Sequence, residues 1–96
     1  MEFKVVGFEP NPNRISSLIG FVTILILDLD MRISGIRYHK RDRTDWVQLP
    51  CRRLLGERGE VQWVPNVSFS NPQVHHDFLE ELADKVADYR KEWPNG

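Results

Sequence analysis

The sequence has 96 residues, an ordinary globular share of hydrophobic side chains and a formal net charge of -1 at pH 7. A chain of this length forms one domain, here residues 1–96, with little room for a large catalytic cleft beside its core. A charge near zero predicts neither a nucleic-acid nor a membrane partner. The single cysteine, Cys51, excludes an intramolecular disulfide, and no secretory signal pattern is present. We therefore expect a cytoplasmic protein.

The first predicted strand covers residues 2–8, and an Asn-Pro-Asn turn at 11–13 ends it. Residues 18–27 are apolar at nearly every position and rich in β-branched side chains, which predicts a central strand with both faces covered. Ten residues are too few to cross a bilayer as a helix. The sequence offers one helix for one face, so either the sheet curls over or a second copy covers the other face, which hints at a dimer.

The next segments are short and separated by turns. Asp28 to Asp30 form a tight turn, and residues 31–40 return as a third strand whose apolar phase slips at Ser34-Gly35, which predicts a β-bulge. Residues 40–45 are a charged turn, 46–49 a fourth strand ended by proline, and 52–59 a connector. Residues 60–70 alternate as a fifth strand, and Pro65 predicts an edge position or a kink.

A helix is predicted from about residue 71 to about residue 91. Ser70 and Gln73 have the spacing of a capping box, and Pro72 suits the first turn. An apolar stripe recurs every three to four residues, at Val74, Phe78, Leu82, Val86, Tyr89 and Trp93. The predicted fold is therefore α+β, an antiparallel five-stranded meander with one C-terminal helix packed on the sheet.

Charge is unevenly distributed along the chain. Residues 32–58 hold eight Lys/Arg against three acids, whereas residues 71–96 hold three against six. In the basic segment the cations alternate with aromatic rings, as a nucleic-acid surface requires. The predicted phosphate contacts are Arg37, Lys40, Arg41, Arg43, Arg52 and Arg53. The alternative is a solvated hairpin tip whose charges protect the sheet edges, and the sequence leaves both interpretations open.

Other candidate sites favour structural interpretations. His75 and His76 diverge around a helix and lack a metal-ligand series, and Cys51 has no histidine at motif spacing. Trp46 and Trp63 fall on or beside the apolar phase of strands, which favours the core. We find no catalytic constellation, so we expect no enzyme, no cofactor, no metal site and no small-molecule substrate.

Several short motifs occur in a familiar order. They are Phe-Val-Thr-Ile-Leu-Ile-Leu-Asp-Leu-Asp-Met-Arg-Ile-Ser-Gly-Ile-Arg-Tyr at 21–38, Leu-Pro-Cys-Arg-Arg at 49–53, Gly-Glu-Val-Gln-Trp-Val-Pro-Asn-Val at 59–67 and the closing helix. Over residues 17–91 the chain resembles the septation protein SpoVG family and small bacterial or phage relatives with a Trp-Val-x-Leu-Pro element.

That resemblance implies a small α+β regulator that dimerises through its strands and binds DNA or RNA. It makes Arg52 and Arg53 the best candidates for phosphate contacts and puts Arg37 on the sheet. We therefore predict a homodimeric nucleic-acid-binding regulator of low sequence selectivity. The alternative is a protein-interaction or assembly module that does not bind nucleic acid.

Overall fold

Six strands precede a single α-helix in the computed structural model, which describes residues 2–13 and 16–92. The strands are Phe3–Pro10 (β1), Leu18–Ile26 (β2), Met31–Arg41 (β3), Thr44–Gln48 (β4), Cys51–Leu55 (β5) and Val61–Pro65 (β6), and the helix is Pro72–Lys91 (α1). The first four strands form one antiparallel sheet in chain order, and β5 pairs with β6 in a second. The α+β class is confirmed. The five-stranded meander is wrong, because there are six described strands in two sheets.

The apolar run forms the predicted central strand. In β2, Val22 and Ile24 are fully buried beneath α1, whereas Phe21 and Leu25 on the opposite side remain half-buried. Helix α1 therefore covers one side of the four-stranded sheet. We call the other side the open face.

The core lies between the first sheet and α1. Its buried side chains are Phe3, Val22, Ile24, Ile26, Ile36, Tyr38, Val47, Leu49, Phe78, Leu82, Ala83 and Val86. Lys85 fastens the helix to β1, because its ammonium group donates to the Phe3 carbonyl at 2.6 Å and lies 3.9 Å from the centre of the Phe3 ring. One side chain thus satisfies a backbone acceptor and contacts an aromatic ring at the same boundary.

The predicted bulge in β3 is confirmed. Val22 pairs with Ile36 and Ile24 with Ile33, so β3 has one more residue than β2 over this interval. Gly35 supplies the φ of +75° that the extra residue needs. The slip keeps Ile33 and Ile36 on the helix-facing side of the sheet, although they are three residues apart.

The β3–β4 turn is tighter than the predicted charged turn at 40–45. Lys40 pairs with Asp45 and Arg41 with Thr44, so only Asp42 and Arg43 lie outside the ladder. Asp42 has a φ of +57°, a conformation that aspartate tolerates better than most residues. Arg41 therefore lies in a strand.

The connector predicted at 52–59 is wrong, because Cys51–Leu55 is a strand. It pairs with β6 from Cys51 opposite Pro65 to Leu55 opposite Val61, and a turn at 56–60 joins the two. The sequence predicts a strand over 60–70, with an edge position or a kink at Pro65. In the structure this strand, β6, ends at Pro65. Proline has no N–H for a ladder bond, which explains the early end.

Helix α1 begins one residue later than predicted. The side chain of Asn71, not Ser70, accepts hydrogen bonds from the Gln73 and Val74 N–H groups at 2.9 and 3.2 Å. The predicted capping box is therefore wrong, although Pro72 occupies the first turn as expected.

Part of the apolar stripe forms the contact with the sheet. Phe78, Leu82 and Val86 are buried, whereas Val74 is 48% exposed near the helix start. Tyr89 is half-buried, and Trp93 lies outside the described residues. No helix within the described ranges is long and apolar enough to cross a membrane.

Candidate nucleic-acid interface

The basic side chains of β3 alternate between the two sides of the sheet. Ile36 and Tyr38 are buried beneath α1, so Arg37, His39 and Arg41 belong to the open face. Strand pairing puts Phe21 of β2 on one side of Arg37 and Gln48 of β4 on the other. Arg37, a half-buried residue, thus lies in a cross-strand row between Phe21 and Gln48.

The next row contains a pair of stacked rings. His39 pairs across the strands with Trp46, and the two rings stack face to face. Trp46 is 39% exposed, so its predicted place in the core is wrong. The stack leaves part of the indole accessible, which a base or another planar group needs for contact.

His39 is held in a neutral state at neutral pH. Burial lowers the pKa of its imidazole below the usual 6.5; Arg37 lowers it further, and Gln48 opposes the shift. Nδ1 lies 3.0 Å from Ser17 Oγ, and the buried Nε2 makes no hydrogen bond of good geometry. A neutral ring adds no charge to this part of the open face, so the charge beside the stack on β3 and β4 comes from Arg37 and Arg41.

The β5–β6 hairpin approaches the open face through Trp63. The Arg37 guanidinium lies 5.8 Å from the centre of the Trp63 indole. Trp63 is 55% exposed, so its predicted place in the core is also wrong. Arg53 is its cross-strand partner, and directly opposed residues share one side of a hairpin. Trp63 is therefore an aromatic neighbour of both Arg37 and Arg53.

The other predicted cations lie elsewhere. Lys40, like Tyr38, lies on the helix-facing side of the sheet. Together with Arg43 it lines a cleft beside the last turn of α1. Arg52 alternates with Arg53 in β5, and its guanidinium donates to Asn66 Oδ1 at 2.8 Å. The six residues do not form one continuous patch, because strand alternation separates them.

The sequence interpretation missed three contributors to these surfaces. One is Phe21, which lies beside Arg37 only because of the strand register. Arg90 and Lys91 also line the cleft with Lys40 and Arg43. The sequence contains a signal for this second pair, because both are cations in the last turn of a mainly acidic helix.

The remaining candidate groups make local contacts. His76 Nε2 lies 3.1 Å from a Glu80 carboxylate oxygen, and His75 Nδ1 accepts from the Phe69 N–H at 3.4 Å. Cys51 is a half-buried thiol at the start of β5. Among residues 2–13 and 16–92, no three His, Cys, Asp or Glu side chains converge as metal ligands do.

No family model, curated protein or solved structure matches this chain. Its resemblance to the septation protein SpoVG family therefore stays a prediction. The functional interpretation depends on the open face and the cleft, the two surfaces where cations accumulate.

Proposed function

We propose that the protein binds DNA or RNA strands on the β3–β4 part of its open face, with low sequence selectivity. The observation that carries this proposal is the exposed Trp46 ring, stacked on His39 in a row between Arg37 and Arg41. Bases stack on aromatic faces whatever their sequence, and cations beside them neutralise phosphates. The arrangement supplies both types of contact on one side of a sheet.

Single-stranded substrates suit this surface better than duplexes. An indole face contacts a base only when that base is unstacked from its neighbours, which is costly in a duplex and cheap in a single strand. Phosphate contacts position a strand without reading its sequence. Binding is therefore strongly salt-dependent and only weakly selective.

We also infer a homodimer, as the family resemblance implies. Phe21 and Leu25 keep half-buried apolar side chains on the open face of β2, and a second copy covering that part of the sheet removes them from water. A Leu25→Glu variant tests this step, because light scattering then reports a monomer where the unmodified chain reports a dimer. An unmodified chain that stays monomeric at high concentration contradicts it.

A salt titration tests the nucleic-acid proposal. Fluorescent single strands are titrated at several salt concentrations with the unmodified protein, with an Arg37→Gln/Arg41→Gln variant and with a single Arg58→Gln variant. For two lost phosphate contacts on a single strand, the slope of log K against log salt falls by about 1.4. Arg58 is exposed in the β5–β6 turn, so its variant controls for charge loss away from the open face. Undetectable binding at low salt, or equal slopes in all three proteins, refutes the proposal.

A protein-interaction or assembly module is the second candidate. It is favoured by the exposed apolar side chains of the β5–β6 hairpin, where Leu54, Leu55, Val61 and Trp63 are between 43% and 62% exposed. Charge reversal of Arg52 and Arg53 separates the two functions. Loss of a salt-sensitive nucleic-acid complex supports the first. Loss of a protein partner, with no nucleic-acid binding by either the variant or the unmodified protein, supports the second.

A further inference from the structure

A cleft with a volume of about 470 Å³ lies between the β3–β4 hairpin and the last turn of α1, on the side away from the open face. Its lining side chains are Tyr38, Lys40, Arg43, Asp45, Ala87, Arg90 and Lys91. Four of these are cations, two from the hairpin and two from the helix. Within the described residues that line the cleft, Asp45 is the sole carboxylate.

Three contacts hold the side chains that line the cleft. The Tyr38 hydroxyl donates to Asp45 Oδ2 at 2.7 Å, and burial together with Asp45 raises the pKa of Tyr38 to about 12. The phenol therefore stays protonated and occupies one Asp45 oxygen. The Arg90 guanidinium lies 5.3 Å from the centre of the Phe8 ring and 5.5 Å from that of Tyr38. Aromatic faces hold this cation at the cleft wall.

Among the described residues that line the cleft, cations outnumber carboxylates by four to one. Asp45 cancels one of the four cations, and Asp88, whose carboxylate lies 3.8 Å from Lys91 Nζ, cancels a second. The C-terminal end of α1 adds a partial negative charge of about half a unit. The described lining therefore keeps an excess of cations in a concave site, where low-dielectric walls strengthen attraction for an anion.

We propose that this cleft binds a phosphoryl dianion, the phosphate group of a phosphomonoester or of free phosphate or pyrophosphate. Cations that converge from two elements favour a compact ligand with more than one negative charge, because Coulomb attraction scales with the charge of the ligand. A phosphomonoester carries about 1.5 to 2 negative charges at pH 7, more than one backbone phosphodiester. Tyr38 is 1% exposed, so this site offers no ring face for a base. The proposal does not depend on nucleic-acid binding by the open face.

Calorimetric titration with pyrophosphate at low salt tests the proposal. We compare the unmodified protein with a Lys40→Gln/Arg43→Gln variant and with an Arg32→Gln/Arg58→Gln control, which loses the same charge at two exposed positions outside the cleft. We expect saturable binding that weakens roughly tenfold in the cleft variant and less than about twofold in the control. Absence of saturable binding, or equal weakening in both variants, overturns the proposal.

A competition experiment identifies the source of the phosphoryl group. A 5′-phosphorylated oligonucleotide that displaces pyrophosphate better than its 5′-hydroxyl counterpart supports a strand end as ligand. Equal, weak displacement by the two strands, with pyrophosphate still dependent on the cleft, supports a free phosphate compound. A Trp46→Ala variant separates this proposal from the proposed function, because its strand binding at the open face weakens while its pyrophosphate binding is unchanged. Weakening of both activities in that variant contradicts the independence of the two sites.

Discussion

The indole of Trp46 and the imidazole of His39 face each other across β3 and β4 with ring centroids 5.2 Å apart and planes within 2° of parallel. The imidazole covers part of the indole, and Trp46 remains 39% exposed, so part of the ring is accessible to a planar ligand. Because His39 is neutral at neutral pH, the stack stabilises the ring without adding charge to the open face.

Replacing Trp46 by alanine removes the aromatic platform. We expect the affinity for single-stranded oligonucleotides to fall about 5- to 150-fold, which corresponds to about 1–3 kcal/mol for one stacked base. Trp46→Phe keeps a ring at the same position and recovers most of the affinity. Fluorescence anisotropy measures binding, and thermal unfolding confirms that each variant is folded. Equal affinities for the alanine variant and the unmodified protein refute a stacking role.

Stability depends on pH through His39. The unfolded imidazole takes up a proton near pH 6.5, whereas the folded ring, whose pKa is lowered mainly by burial, takes it up only at lower pH. Between those values the unfolded state binds more protons. The contribution of His39 is therefore fully present above pH 6.5 and is lost as the pH falls towards the folded pKa.

Denaturant titrations between about pH 7.5 and about pH 5 measure this effect. We expect the free energy of unfolding to decrease more steeply with acid in the unmodified protein than in a His39→Gln variant. His76→Gln serves as control, because His76 is exposed and pairs with Glu80 on the outside of α1. The same slope in the His39 variant and in the unmodified protein contradicts the prediction.

Two positions of the predicted helical stripe differ in burial and therefore in their effect on stability. Leu82 is fully buried against the sheet, whereas Val74 is 48% exposed. We expect Leu82→Ala to cost about 2–5 kcal/mol of unfolding free energy, since it removes buried methyl groups and leaves a cavity. We expect Val74→Ala to change stability by less than about 0.5 kcal/mol. Similar losses at both positions contradict this placement of α1.

The start of α1 is tested by a second matched pair. Asn71 accepts two backbone hydrogen bonds at the helix start, and its replacement by alanine is expected to cost about 1 kcal/mol. Ser70→Ala leaves both bonds intact and is expected to be nearly neutral. Chemical denaturation of the two variants decides between Asn71 and Ser70 as the capping residue. A larger loss for Ser70→Ala restores the original capping-box prediction.

The elements that the sequence predicts well are those whose pattern reflects one buried environment. Contact with the core explains three of these patterns: the apolar run of β2, the slip at Gly35 and the spacing of Phe78, Leu82 and Val86. Strand β5 has no sequence pattern of this kind. Its Arg-Arg-Leu-Leu residues are all exposed in a hairpin that contacts the rest of the described chain only sparsely, so no burial pattern marks it as a strand.

The candidate site is harder to predict than the fold, because its members come together across strands. The basic segment identifies which residues carry charge, but the register decides that Arg37 lies beside Phe21 and that Lys40 lies on the opposite side of the sheet. Exposed aromatic residues add a second difficulty. Trp46 and Trp63 fit an apolar phase, and hydrophobicity alone does not distinguish a core ring from a surface ring.

The contact between Lys85 and Phe3 joins residues 82 positions apart, so the first strand and the helix depend on each other for their final places. All six strands precede α1 in the chain. During synthesis the apolar side of β2 thus emerges long before the segment that covers it. The nascent sheet is exposed to wrong association until the helix has left the ribosome and packed on it, and a pause just before the helix prolongs that period of risk.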